Sequence, residues 1–445
     1  MSAKTRFLTI LCLLLAVALG PAQPTQAATI FYVDPNGTDA PGRGTAALPW
    51  RTLTYAVDQT QVQPGDTIHL NAGTYSLART AHVRPGITIE GAGRTKTTIT
   101  GSGFYSGLLR FASEQYSDGN QALRDLRIEG QNRAQESGVI VQGRHNFKLY
   151  RVDFANFSHT AFDITADGYA RGNSQNTVAP SVYLRGFEAY DFTVSNSGSN
   201  YGWLSGAFQV GGVDGALIHN FVIENSTAQA YGLKFAAGGW FKNTKIYNGS
   251  ITAHTNVTGD WAGMAASIEF WNVLEGNEVH DLTVNTWMSF VDQTNEQEQS
   301  TSLKVYNNIF NLPEACEPNV TCIKYKVASI ELAVSNAEIY NNYFKNPGVF
   351  GVAVWSGAAE TEMGPRTNNT IYNNVFERVG SLRDDINDHT AVHIQASYID
   401  GVKIYNNTGY RVGGARIQES AVGTYVRNVE FKNNLFLNPT AVGLR

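Results

Sequence analysis

Ile-Tyr-Asn-Asn-Tyr-Phe at 339–344, Ile-Tyr-Asn-Asn-Val-Phe at 371–376 and Ile-Tyr-Asn-Asn-Thr-Gly at 404–409 are copies of one phrase, and that phrase decides the fold. Val-Tyr-Asn-Asn-Ile-Phe at 305–310 and Phe-Lys-Asn-Asn-Leu-Phe at 431–436 repeat it. Looser versions reach back through Val-His-Asp-Leu-Thr-Val at 279–284, Ile-Tyr-Asn-Gly-Ser-Ile at 246–251 and Ile-His-Asn-Phe-Val-Ile at 218–223 to Leu-Arg-Asp-Leu-Arg-Ile at 123–128. The phrase returns every 26 to 36 residues. A unit of that size cannot bury its apolar face alone, so each copy is expected to be one rung of a solenoid stacked on its neighbours.

The rungs contain short period-2 runs rich in Val, Ile, Phe and Tyr, bounded by Gly and Asn, and none shows an extended helical period. This predicts an all-β chain, a parallel β-solenoid. An Asn at the same turn of every rung can bond the Asn above and below through its side-chain amide, which both donates and accepts. The Asn-Asn pairs are therefore read as a structural ladder and not as a site.

These repeats, over about residues 105–439, resemble the secreted right-handed parallel β-helix proteins of the pectate-lyase-like superfamily. Upstream, Phe31-Tyr32-Val33-Asp34-Pro35-Asn36-Gly37, Pro49-Trp50-Arg51-Thr52-Leu53, Pro64-Gly65-Asp66-Thr67-Ile68 and Ala72-Gly73-Thr74-Tyr75 look like the cap and first coil of such proteins. The resemblance implies a single-stranded right-handed parallel β-helix. The architecture is shared by polysaccharide lyases, glycoside hydrolases, epimerases and adhesins, so it says little about chemistry. The expected organisation is a signal peptide over residues 1–27, a cap and first coils over 28–104, and β-helix repeats over 105–445.

The 445 residues exceed the usual single-domain size, but a solenoid grows linearly and needs no division. Charged residues make up 16%, the net charge is -5, and the pI is near 6.0, a balance that disfavours a nucleic-acid partner. Lys4 and Arg6, an apolar run over 7–19 and a cut near Ala27 or Ala28 read as a secretory signal, placing the chain outside the cell. The run is short for a membrane span and no later stretch qualifies. After its removal Cys316 and Cys322 remain, an even pair expected to form a loop-closing disulfide. The chain stops just after a repeat, which leaves a potentially open rung.

Two motifs are set aside. The stretch Gly91-Ala92-Gly93-Arg94-Thr95-Lys96-Thr97 lacks P-loop spacing and is read as a turn between two strands. Asp34, Asn36 and Asp39 could open a calcium loop, but Pro35 and Gly37 favour an Asx turn.

The chemistry is expected on the strand that precedes each Asn phrase. There Phe162-Asp163-Ile164, Phe208-Gln209-Val210, Leu233-Lys234-Phe235, Ile268-Glu269-Phe270, Ile330-Glu331-Leu332, Val392-His393-Ile394 and Ala415-Arg416-Ile417 each place a polar residue between apolar ones. Alternation sends the flanks inward and stacks Asp163, Gln209, Lys234, Glu269, Glu331, His393 and Arg416 in one outward column. In the run Ser289-Phe290-Val291-Asp292, Phe290 is expected to join that column. Asp292 would then enter a second column with Trp271, Trp355, Gln395 and Gln418, since the opposite register would bury it.

Rungs stack about 4.8 Å apart, so Glu269 and Glu331, two rungs apart, should have backbones about 10 Å from each other. Paired carboxylates about 6.5–9.5 Å apart suit an inverting glycosidase, one protonating the leaving oxygen and the other activating water. Crowding would keep one of them protonated. Trp240, Trp261, Trp271 and Trp355 fall on or near the central rungs, and their ring faces could stack on sugars. The long segments 238–243, 255–264 and 356–369 carry several of these residues. A solvated face of mixed charge is the bland reading of the column, and core packing that of each Trp.

Three functions compete. The first is a glycoside hydrolase using Glu269, Glu331 and Asp292, with no metal or cofactor, the Trp residues, Asp163, Gln209, Gln395 and Arg416 holding a polysaccharide or oligosaccharide. The second is a polysaccharide lyase in which Lys234 or His393 abstracts a proton from a uronate, with calcium as a possible aid. The third is a binding solenoid without catalysis. The acidic column favours the first, although the compact Asn-x-Asp and His-Gly signatures of polygalacturonase-like hydrolases are missing and Asp384-Asp385 falls on a loop. The sequence carries no signal of oligomeric state.

Overall fold

The computed structural model describes residues 27–101, 107–132, 137–158, 160–166, 180–197, 208–226, 233–234, 240–253, 266–270, 274–285, 287–291, 302–311, 328–345, 350–356, 365–378, 390–396, 398–419 and 424–439. Residues 1–26 of the expected signal peptide, Cys316, Cys322, Asp292, Trp261, Trp271 and the Asp384-Asp385 pair lie outside them. Among the described residues no helix is long and apolar enough to cross a membrane.

The chain winds as a right-handed parallel β-helix, each strand pairing with its counterpart one rung away. Three sheets run its length. The first sheet runs from Ala81–His82 through Phe162–Thr165, Phe208–Gly211, Ala328–Ala333 and Phe350–Trp355 to Gly413–Glu419. The second begins at Ile30–Val33 and ends in Tyr425–Lys432, and the third runs from Gly73–Leu77 to Leu435–Leu437. Inside, aliphatic residues stack rung on rung; the second sheet contributes Ile218, Ile246, Val279, Val305, Ile339, Ile371 and Ile404, all essentially sealed from solvent.

The repeated phrase can be decoded position by position at 339–344. Ile339 is in the core. Tyr340 points outward and stacks between Tyr306 at 4.9 Å and Tyr372 at 5.0 Å. Asn341 takes φ of 56°, a left-handed conformation in which Asn is among the least strained non-glycine residues. Asn342, 1% exposed, donates through Nδ2 to the Val305 carbonyl (2.9 Å) and to Asn374 Oδ1 (3.0 Å), while its Oδ1 accepts from Asn308 N and Nδ2, each at 3.0 Å. Tyr343 is outward again, its hydroxyl donating to Glu377. Phe344 returns to the core between Phe310 and Phe376, each at 4.7 Å.

The expected ladder therefore exists, running through Asn308, Asn342, Asn374, Asn407 and Asn434. The earlier, looser rungs keep the left-handed corner, with Asp125, Arg151, Asp191, Asn220, Asn248 and Asp281 at φ between 51° and 60°. At the next position they carry mostly core apolar residues, among them Leu126, Phe192, Phe221 and Leu282. Gly249 stands in that row because the Phe221 ring occupies the place of its Cβ, 2.5 Å from it. The two styles join where the Leu282 amide donates to Asn308 Oδ1.

The two asparagines of a pair should thus fail differently. Asn374→Ala strands a buried donor and a buried acceptor on its neighbours and should lower stability by about 3 kcal/mol. Asn373→Ala meets only the left-handed backbone penalty, about 1 kcal/mol, and Asn373→Gly should be near neutral. Urea unfolding of the three variants checks the order.

At the amino-terminal end Trp50 is fully buried, stacked on Phe31 at 5.4 Å and edge-on to Tyr55. The one-turn helix Leu53–Asp58 is capped by Thr52, whose side chain accepts from the Tyr55 amide. Asp39 holds that cap, accepting from the Arg51 and Thr52 amides and the Thr52 hydroxyl. Asp34 forms the expected Asx turn, accepting from the Asn36 amide at 2.8 Å, and its other oxygen accepts from Asn71 Nδ2. The segment 92–96 is a turn between strands, as expected.

The Asn71 and Asn36 bonds hold the Asp34 carboxyl below its ordinary value of 3.8. A carboxylate depressed in the folded state stabilises above its unfolded pKa, and that contribution disappears as pH falls through the lower folded value. Asp34→Asn should therefore lower the melting temperature at neutral pH and flatten its acid dependence below about pH 4, as read by thermal melts across pH.

Candidate functional site

Strand pairing in the first sheet tests the expected column directly. Asp163 is paired with Gln209, Lys234 with Glu269, Glu269 with Ser289, and Ser289 with Glu331; Ala353 and His393 follow, then Arg416. The pairing of Phe208 with Leu233 puts Gln209 beside Lys234. Asp163, Gln209, Lys234, Glu269, Glu331, His393 and Arg416 thus share one file, and Glu269 and Glu331 stand two rungs apart with Ser289 between them. The backbones of Lys234 and Glu269 are described and their side chains are not.

One register is corrected. Phe290 does not join the column; it is fully buried, packed edge-on against Phe270 at 5.3 Å and paired with Leu332. A large aromatic gains more from the core than Ser289 does, so Ser289 takes the outward place. Val291, not Asp292, then pairs with Ala333 in the second file. Farther along that file Trp355, Gln395 and Gln418 are adjacent as expected.

Outward register does not mean exposure. Asp163 is 1% exposed, Gln209 4%, Ser289 3%, Ala353 4% and His393 1%. His393 lies under Phe350, ring centroids 4.0 Å apart and nearly parallel, and Phe350 forms with Ala328 and Ala353 a small apolar cluster separate from the main core. Glu331 differs. Between Asp163 and His393 it is the column member, among the described side chains, that keeps contact with solvent. Its Oε2 accepts from the Ser289 hydroxyl at 3.5 Å. Small neighbours on both sides, Ser289 and Ala353, leave it unshadowed.

The tryptophans separate. Trp240, expected as a sugar platform, is 2% exposed and belongs to the core, so that reading is overturned: the large ring gains more from packing among the core side chains than from solvent. Trp355 is half-buried, and its indole N–H is itself buried with no acceptor among the described residues. Gln395 beside it is exposed, and Arg416 and Gln418 are partly so.

The column is longer than the sequence suggested. Before Asp163 come Ile140, Arg110 and His82, and Arg110 donates to Gln142 Oε1 at 3.1 Å. Ser289, Ala353 and Phe350 were also missed. The strand Phe350–Trp355 is Phe-Gly-Val-Ala-Val-Trp, apolar throughout, and no polar residue marks its outward position. Arg110 shows the same polar-between-apolar pattern as the others, in Leu109-Arg110-Phe111, and could have been found by it.

No protein-family model matches the chain, and no curated protein matches it in sequence. Among solved structures, the Agl-KA catalytic domain is similar over 94% of this chain and 69% of its own, with a TM-score of 0.53 at 14% identity. The PL6 family alginate lyase AlyGC is similar over 94% of this chain and 53% of its own, with a TM-score of 0.50 at 13% identity. At such identities the likeness establishes the parallel β-helix fold, and the chemistry rests on the column.

Proposed function

We propose that this protein is a polysaccharide-degrading enzyme, a glycoside hydrolase whose reacting carboxylates are Glu331 and Glu269. The observation that carries the reading is the placement of two glutamates on one outward file, two rungs apart, with a serine between them. One carboxyl would protonate the glycosidic oxygen and the other would activate water or attack the sugar, the choice depending on how far their side chains converge. Lys234 is one rung from Glu269 in the same file. Trp355, half-buried, offers the exposed part of its ring for the sugar's C–H face. Secretion through the leader over residues 1–27 and a bond between Cys316 and Cys322 complete this reading; the mass of the exported chain before and after reduction tests both.

A lyase is the competing reading, supported by the fold shared with AlyGC and by Lys234 in the file. His393 is the weaker base, because Phe350 covers its ring. A polysaccharide panel read for new reducing ends and for the ultraviolet absorbance of unsaturated sugars separates the two. Reducing ends without absorbance, lost by about 10²–10⁴-fold in Glu331→Gln and in Glu269→Gln, are expected. Absorbance that survives both substitutions and vanishes in Lys234→Ala would move the chemistry to elimination. Trp355→Ala should raise KM by about fivefold with kcat little changed, as loss of one stacking contact requires.

A further inference from the structure

A concave site lies away from the column, at the corner between the first and second sheets. It is a cleft of about 580 Å³, lined by Asp118, His145, Asn146, Tyr183 and Arg185 among others. That volume is within the range of small-ligand sites. Asp118 and His145 are paired neighbours on successive rungs, and the short strand Leu184–Arg185 stacks on the rung that carries His145.

The lining is held in place. The Arg185 amide donates to His145 Nδ1 at 3.2 Å, which makes Nε2 the proton-bearing nitrogen of the neutral ring. Tyr116 stacks on the same imidazole at 5.8 Å. The Lys242 ammonium sits 4.8 Å from the centre of the Tyr183 ring. Asn146 donates to Asn120 Oδ1 at 2.9 Å. Arg185 leans toward Asp214, 3.4 Å away, yet keeps 73% of its side chain in solvent, so its guanidinium is available. Next to His145 in the chain, Arg144 is 2% exposed and bonded to Gln121, Ser113 and the Val83 and Ala112 carbonyls. This buried fork ties three rungs together under the corner.

We propose that this cleft is a second glycan-binding site, taking a pyranose unit with Tyr183 as its apolar wall and with sugar hydroxyls bridging Asp118 and Arg185. Mixed charge selects the ligand. A vicinal diol both donates and accepts and so satisfies a carboxylate and a guanidinium together, whereas a dense polyanion would meet Asp118 with like charge. The site is on a different face from Glu331 and binds without turnover, so it stands or falls independently of the catalytic reading. It would hold a long polymer against the coil while another stretch lies along the column.

The test is affinity electrophoresis of the full chain carrying Glu331→Gln, in gels cast with laminarin, dextran, xylan or alginate. Retardation in at least one neutral gel is expected. Arg185→Ala and Asp118→Asn, both on the surface, should each weaken it by about fivefold, the loss of one polar contact. Tyr183→Ala should do the same, with circular dichroism confirming that the coil is intact. No retardation in any neutral gel, or retardation unchanged by Arg185→Ala and Asp118→Asn, overturns the proposal. Retardation in alginate alone would also overturn it, because the cleft would then be reading charge.

Discussion

The rung-to-rung register is the constraint on which everything else in this molecule depends. In a parallel coil every side chain has a counterpart about 4.8 Å above and below, and a slip of one residue would turn each strand inside out. The buried asparagines oppose such a slip. Each closes the corner between the second and third sheets with side-chain amide bonds to the rungs before and after, so a displaced rung would leave buried donors and acceptors without partners. Where asparagine is absent, toward the amino-terminal end, stacked core residues such as Phe192 on Phe221 take the same row. Register there rests on core packing in that row and on hydrogen bonds between outward side chains of successive rungs, such as Asn146 to Asn120 and Arg151 to Asp125.

A fixed register turns a one-dimensional list of outward residues into a surface. It puts Glu269, Ser289 and Glu331 in file. It also makes the outer face of the second sheet a stack of rings, from Tyr150 through Tyr190, His219, Tyr247, His280, Tyr306, Tyr340 and Tyr372 to Tyr405, at centroid spacings of 4.5 to 5.3 Å. In that stack the ring faces are spent on one another, and only edges meet solvent. Hydroxyls of Tyr306 and Tyr372 donate to Glu278 and Glu338, and burial together with the Glu338 carboxylate pushes the Tyr372 phenol up to about 12. This face is a second brace along the coil. Trp355, beside an alanine and a glutamine in its own file, has no ring stacked on it among the described residues and keeps its face for another use.

The functional surface is arranged by contrast in size. Large residues close parts of the column, as Phe350 does over His393, and small ones open it around Glu331. Burial of Asp163 and Gln209 makes them supports more than contacts, which concentrates the exposed ionisable chemistry near the middle of the coil. The central column and the corner cleft lined by Tyr183 and Arg185 are both positioned by the stacking of successive rungs.

Periodicity alone settled a good deal. The spacing of the Asn-Asn phrases required a solenoid, alternation assigned Ile339 inward and Tyr340 outward, and the same alternation placed Asp163, Gln209, Lys234, Glu269, Glu331, His393 and Arg416 in one file. These are local properties: a strand has a period of two, and a turn favours residues that tolerate positive φ. The tertiary structure decided what alternation leaves open. Phe290 and Ser289 compete for one inward place, and only the packing of Phe270 and Leu332 against that place selects the aromatic. Trp240 reads equally well as platform or core until neighbouring rungs close over it. His393 is outward in register but covered, because Phe350 comes from the preceding rung and no property of His393's own strand announces it. Local preference fixes which way a side chain faces, while exposure is set by what the other rungs put on top of it.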